Sequence, residues 1–213
     1  MNETDAINLL VKRETNLVFA FPIKLYRINV KEVSEELFHN IQYSIDKFLE
    51  NTKVEKFEQW PEKIKTTFSY TRTRNHILGQ EHFKKLTQFI ITESKKYYVE
   101  FKRESNLKLF SSWINLYEKN DFQFRHSHIG DDNNSIISGI YYHKTYDEGG
   151  ELVFYNPLTS TNRNNIIFDE YKIKPKNGDL IFFPSFLGHR VNPNLSDNVR
   201  KSISFNLKDD YKN

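Results

Sequence analysis

From Leu107 to Asn206 the chain alternates short aromatic and β-branched runs with Asn, Asp, Gly and Pro. Punctuation this frequent suits short antiparallel strands and leaves no room for long helices. Strands are expected near 108–118, 122–128, 135–143, 151–155, 170–174, 179–184, 187–192 and 199–207. That is about eight, the number a double-sheet jelly roll needs. Asp147-Glu148-Gly149-Gly150 and Lys176-Asn177-Gly178-Asp179 supply tight turns between them.

The half before Leu107 has a different period. Residues 1–15 read as a polar tail or short helix. Leu17 to Arg27 is extended and β-prone, with Pro22 at a bend or edge. Leu37, Ile41, Ile45 and Leu49 recur at helical spacing and predict a helix from Ser34 to Leu49. Trp60-Pro61 suggests a turn. A second helix is expected from Gln80 to about Arg103, with Phe83, Leu86, Ile90, Tyr97 and Phe101 as its apolar stripe. The expected fold is mainly β with N-terminal helices: a double-stranded β-helix (jelly roll, cupin-like) core buttressed by helices. One domain spans 1–213, with a strand and supporting helices over 1–106 and the jelly-roll core over 107–213.

Composition narrows the function classes. The chain has 213 residues and no cysteine, which excludes disulfides, thiolate chemistry and cysteine-ligated zinc. Its N-terminus carries Glu3 and Asp5 and has no apolar run of signal length, and no stretch is long enough to span a bilayer. A cytoplasmic location is expected. A net charge of +3 is too small to indicate nucleic acid or a membrane surface. The lysines between Lys84 and Lys102 suit a solvated helix face rather than a nucleic-acid groove.

The polar residues that stand out lie within the predicted strands. His126 and His128, at i and i+2, point to one face of a strand. His189, from a distant strand, can complete a three-point metal site. Phe182-Phe183-Pro184-Ser185-Phe186 precedes it and would form a dry wall. Arg200 and Ser202 also share a strand face, where a guanidinium fork and a hydroxyl can grip a carboxylate. Tyr142 can add its phenol to that carboxylate. Asn115 and Tyr117 share a face of an earlier strand and can reach the metal-bound end. The loop Gly130-Asp131-Asp132-Asn133-Asn134 leaves a second option for the third metal ligand, with Asp131 or Asp132 in place of His128. His39, His76 and His82 lie on or near helices and suit structural roles, and His143 ends a strand without a ligand pattern.

At these residues the chain resembles the 2-oxoglutarate and Fe(II)-dependent oxygenase superfamily. More narrowly it resembles the prolyl 4-hydroxylase-like members, and within them an uncharacterised branch of 2OG-Fe(II) oxygenases from bacteria and phages. The matching segments are Trp113 to Tyr117, His126-Ser127-His128, Ser138 to Tyr142, Gly149 to Phe154, Gly178 to Pro184, His189 and Arg200 to Asn206. The resemblance implies His126 and His189 as iron ligands, with His128 at the position usually held by a carboxylate. It implies Arg200 as the anchor of the distal 2-oxoglutarate carboxylate, assisted by Tyr142 and Ser202, with Tyr117 near the metal-bound end. The implied cofactor is Fe(II), and 2-oxoglutarate is the co-substrate. The implied partners are O2 and an unidentified prime substrate, peptidyl or small, and a homodimer is left open. The implied reaction is hydroxylation coupled to release of succinate and CO2. Two rivals remain: a three-histidine cupin-type dioxygenase that uses no 2-oxoglutarate, and a non-catalytic jelly-roll binding protein.

Overall fold

The computed structural model describes residues 25–57, 60, 62, 64–68, 76–99, 106–129, 135–157 and 169–209. Eleven strands are assigned among them: β1 (Tyr26–Asn29), β2 (Glu55–Lys56), β3 (Lys65–Thr66), β4 (Leu107–Tyr117), β5 (Gln123–His126), β6 (Ser135–Lys144), β7 (Leu152–Tyr155), β8 (Glu170–Ile173), β9 (Asp179–Pro184), β10 (His189–Val191) and β11 (Arg200–Asp209). The helices are α1 (Val30–Val33), α2 (Glu35–Glu50) and α3 (Lys84–Val99). Strands β4 to β11 match the eight expected runs.

Two sheets result. One has the order β1-β9-β6-β11-β4-β3-β2 and the other β5-β10-β7-β8. All of the paired strands run antiparallel. Their facing surfaces enclose one apolar cluster, which includes Tyr117, Ile140, Tyr142, Ile181 and Phe183 from the larger sheet and Leu152, Phe154 and Val191 from the smaller. This is the jelly-roll sandwich.

The larger sheet is buried on both faces. In β9, Leu180 and Phe182 join the cluster under the helices, while Ile181 and Phe183 join the cluster between the sheets. A strand covered on both sides needs an unbroken apolar run, and Asp179-Leu180-Ile181-Phe182-Phe183-Pro184 supplies one. The sequence expectation put all of Phe182 to Phe186 in the wall of the site. Alternation sends Phe182 to the helix side instead, and Phe186 is partly exposed.

Helix α2 begins where expected, because the Ser34 hydroxyl accepts the Leu37 N–H at 3.1 Å. It turns Ile41 and Ile45 onto the sheet. Helix α3 is shorter than the predicted segment: 3-10 turns at Ile77–Gly79 and Glu81–Phe83 precede it, and residues 100–105 lie outside the described set. Leu86, Ile90 and Tyr97 are its buried stripe. Strand β1 is fastened to β9 by Arg27, which donates to Asp179 at 2.5 Å, and by Asn29, which donates to Asp179 at 2.8 Å. The expected tail over 1–15, most of the Leu17 to Arg27 segment, and Asp131 and Asp132 lie outside the described residues. Among the described residues no helix is long and apolar enough to cross a membrane.

Gly139 sits in β6 opposite Phe205 of β11 and Phe182 of β9. A Cβ there would overlap the Phe205 ring and come within 2.9 Å of the Ile181 carbonyl oxygen. Gly139→Ala should therefore destabilise the fold by about 1–3 kcal/mol through overpacking. Urea unfolding checks this, and an unchanged midpoint would show that the ring moves aside freely.

Candidate metal and co-substrate site

The three histidines meet where β5 and β10 pair. His126 lies directly across from His189 in the register. His128 follows two residues on, its backbone N–H bonded to the Ser185 carbonyl at 2.9 Å. One ring nitrogen from each histidine lies within 4.8 Å of the others. The His126 and His189 ring centroids are 4.3 Å apart, and His128 is 5.3 Å from His126 and 5.0 Å from His189. Among the described residues this is the one cluster with metal-holding geometry.

Hydrogen bonds decide which nitrogens carry the protons. Nδ1 of His126 lies 2.8 Å from the Phe124 carbonyl oxygen, and Nδ1 of His189 lies 2.9 Å from the Leu187 carbonyl oxygen. Nδ1 of His128 lies 2.7 Å from the Asn206 side-chain oxygen. An oxygen of this kind only accepts, so each Nδ1 carries the proton and donates it. Each Nε2 is left with a lone pair. Such outer partners fix the tautomer and ring orientation of metal-binding histidines.

The surroundings keep the rings neutral. Burial pushes His128 down to about 3, and the neighbouring His126 adds to the effect. His189 lies well below the ordinary range, first through burial and then through its two histidine neighbours. His126 is lowered by burial, against the opposing pull of the Phe124 carbonyl and the Glu62 charge. Trp113 stacks on His128 with centroids 5.7 Å apart, and Phe183 meets the His189 ring edge-on at 4.8 Å.

A second group of polar residues lines the sandwich along β11. Arg200, Ser202, Ser204 and Asn206 alternate onto one face of that strand. Arg200 is 1% exposed. Its Nη1 donates to the carbonyls of Gly149 and Gly150 at 3.0 and 3.2 Å, while its Nε has no partner. No carboxylate of the described residues forms an ion pair with it. Its guanidinium lies 4.1 Å from the ring centre of Tyr117 and 5.8 Å from that of Tyr142. The buried Tyr142 hydroxyl also lacks a partner. A buried cation without an anion is costly, so this corner suits an anionic ligand.

Other expected residues fall in the same wall. Ser202 is buried beside Tyr142 in the register. The Tyr117 hydroxyl is pushed up to about 12 by burial, and it donates to Gln123 at 3.0 Å. The Asn115 amide is already occupied: its oxygen accepts from Thr66 at 2.9 Å, and its nitrogen donates to Ser204 at 3.1 Å. His143 points to the other side of the sheet, where it bonds Asp46 at 2.9 Å. Asn206 was read in the sequence only as part of a matching segment, and its hold on His128 was not anticipated. Its place in the alternation Arg200, Ser202, Ser204, Asn206 was the available signal.

Residues 111–206 match the family model described as "Putative 2OG-Fe(II) oxygenase". No curated protein matches the chain in sequence. In shape the chain is similar to the alpha-ketoglutarate-dependent epimerase SnoN from nogalamycin biosynthesis, at 13% identity over 87% of this chain and 77% of that one, with a TM-score of 0.65. The same epimerase has been solved with Fe3+, alpha ketoglutarate and nogalamycin RO. The chain is also similar to a Pseudomonas putida prolyl-4-hydroxylase, at 15% identity over 86% and 91% of the two chains, with a TM-score of 0.60. A third likeness is to a Trichoplax adhaerens prolyl hydroxylase bound to a hypoxia-inducible-factor peptide, at 14% identity over 87% and 83%, with a TM-score of 0.59. At these identities the likeness in shape speaks for the fold.

Neutral histidines packed into the interior make the metal-free protein sensitive to acid. His128 and His143 are pushed by burial to about 3 and about 4. The unfolded chain takes up protons below about pH 6.5, whereas the folded chain does not, so stability falls as pH drops through that window. At pH 5 each of these two residues should cost about 2 kcal/mol relative to pH 7.5. Urea midpoints at the two pH values measure this, and a flat profile would contradict the buried, neutral assignment.

Over residues 111–206 the family match, the jelly-roll fold and the histidine triad agree on a 2OG-Fe(II) oxygenase core, with Fe(II) as its cofactor and 2-oxoglutarate as its co-substrate.

Proposed function

We propose that the chain is a hydroxylase whose iron is held by His126, His128 and His189. The reading rests above all on one observation: a ring nitrogen from each of three histidines lies within 4.8 Å of the others, while every Nδ1 is tied to an oxygen. Three protein ligands on one side of a metal leave open positions for a co-substrate and O2. When bound, iron with 2-oxoglutarate and O2 supplies oxidative decarboxylation to succinate and CO2, coupled to oxidation of the prime substrate.

The chain's own residues position and shield that chemistry. Arg200 holds the distal carboxylate of 2-oxoglutarate with the N–H groups that Gly149 and Gly150 do not occupy. Tyr142 donates its free hydroxyl to the same carboxylate, and Ser202 adds a hydroxyl beside it. The ring of Tyr117 carries the Arg200 guanidinium and fixes its plane. Asn115 braces this wall through Thr66 and Ser204, which take one site on its oxygen and one of its two N–H groups. Phe154, Phe183 and Trp113 exclude water from the imidazoles. Hydroxylation is supported by the prolyl hydroxylases among the similar folds, although those folds also include an epimerase and a carbocyclase. A cytoplasmic location suits a cysteine-free chain that needs reduced iron.

A dioxygenase without 2-oxoglutarate is the second reading, favoured by the all-histidine ligand set. The unpaired Arg200 argues against it. Anaerobic addition of Fe(II) and then 2-oxoglutarate separates the two: a visible charge-transfer band that needs both is expected, and iron binding without a band favours the second reading. Arg200→Ala should weaken 2-oxoglutarate binding by roughly a hundredfold and leave Fe(II) binding within about twofold. Equal loss of both would remove the anchor role. His128→Asp tests the third ligand: Fe(II) retention should rise, because a carboxylate adds negative charge at the metal, and unchanged retention would point to Asp131 or Asp132.

A further inference from the structure

A pocket of about 410 Å3 opens beside the triad, lined by Trp60, Glu62, Phe68, Trp113, His126 and His128 among others. Its aromatic wall is continuous. Trp60 and Phe68 have centroids 4.8 Å apart, Phe68 and Trp113 are 5.1 Å apart, and Trp113 in turn stacks on His128. The one acidic side chain in the lining is Glu62.

Glu62 is 9% exposed. One of its oxygens accepts the Phe124 N–H at 2.6 Å, a donor on the edge strand β5 that no neighbouring strand pairs. No Lys, Arg or His of the described residues forms an ion pair with it. Arg125, which also lines the pocket, turns its guanidinium to within 4.4 Å of the ring centre of Tyr155 and against Gly188, and makes no ion pair with Glu62. The pocket therefore combines an uncompensated, nearly buried carboxylate with several aromatic faces. A buried carboxylate needs a cation, and an aromatic face attracts one. A carbon chain next to that cation finds apolar surface along the same wall.

We propose that this pocket binds an alkylammonium group, with its nitrogen on Glu62 and its carbon chain along Trp60, Phe68 and Trp113. The prime substrate is then an amine, either a free amine or a lysyl side chain, presented to the oxygenase centre by its hydrocarbon part. The inference rests on the oxygenase reading only for what lies behind the pocket. Charge balance makes Glu62 decisive: three neutral imidazoles, a divalent cation, a doubly charged 2-oxoglutarate and Arg200 leave one positive charge, and the Glu62 carboxylate offsets it where the ammonium group would sit.

The chain has two tryptophans, and both line this pocket, so tryptophan emission reports on it. The full-length protein, metal-free and loaded anaerobically with Fe(II) and 2-oxoglutarate, is titrated with pentylammonium and with its neutral isostere pentanol. A second pair is Nα-acetyl-lysine N-methylamide and the norleucine equivalent. Each ammonium probe should change the emission and bind about tenfold tighter than its neutral partner. Tighter binding of the lysine probe than of pentylammonium assigns the source to a protein side chain, and the reverse assigns it to a free amine. Glu62→Gln keeps an acceptor for the Phe124 N–H and should erase the difference between charged and neutral probes, with circular dichroism unchanged. If the variant fails to fold, the wild-type comparison of charged and neutral probes still decides. Equal affinity for both members of each pair overturns the proposal. So does a Glu62→Gln protein that keeps the preference. Loss of Fe(II) affinity in Glu62→Gln, with no emission response to any probe, also overturns it and assigns Glu62 to balancing the metal charge. The emission titration on metal-free protein needs neither iron nor 2-oxoglutarate, so its failure is separate from a missing charge-transfer band.

Discussion

Strand β11 is covered on both faces, and the site depends on that constraint. Ile203, Phe205 and Leu207 face the helices, where they join the cluster that holds Ile41, Ile90 and Tyr97. Arg200, Ser202, Ser204 and Asn206 face the other sheet. A slip of one residue would exchange the two sets, put an arginine under the helices and put phenylalanine against the co-substrate. Pairing with β4 over ten positions and with β6 over eight prevents the slip. The hydrophobic core thereby sets the register of the polar row, and the polar row is where the chemistry is held.

On the proposed ligand set, a neutral imidazole at the third position makes demands that a carboxylate would not. A carboxylate presents lone pairs from either oxygen, whereas an imidazole must have the right nitrogen deprotonated. Asn206 meets that demand for His128 with the same oxygen that accepts from Ser138 at 2.7 Å. Its amide nitrogen is held by Ser111 at 3.0 Å, which sets which end of the amide faces the ring. Three strands thus cooperate to fix one proton. A metal site made this way needs little rearrangement when it is filled, because the rings are already oriented by bonds the metal does not break.

The barrel and most of the triad were legible in the sequence because they depend on local pattern. Period-two alternation and turn residues marked the strands from Leu107 onward, and i, i+2 spacing put His126 and His128 together. Helix α2 was legible through Ser34 and its leucine and isoleucine spacing. The roles of Glu62 and Asn206 were not. Glu62 lies in an irregular stretch and matters only because Phe124, 62 residues on, leaves an edge N–H unpaired. Asn206 acts on a ring 78 residues away. Contacts of that kind are set by how the strands are ordered in two sheets, and single-sequence periodicity carries no record of strand order. The facing of Phe182 failed for a related reason: a run buried on both faces has no polar residue to show which side chain points where.

The two uncompensated charges of the interior tie these points together. Among the described residues Arg200 is a buried cation without an anion, and Glu62 is a nearly buried anion without a cation. Each would cost several kcal/mol if it stayed unpaired in a dry interior. They could have neutralised each other, yet they line different regions, one along β11 under the Gly149–Gly150 turn and one at the open edge of β5. The histidines near Glu62 do not neutralise it, because burial keeps them unprotonated. A fold that keeps opposite charges apart and pairs neither keeps free energy in reserve for ligands of the opposite sign at each. On the proposed reading an acid belongs at Arg200 and an amine at Glu62.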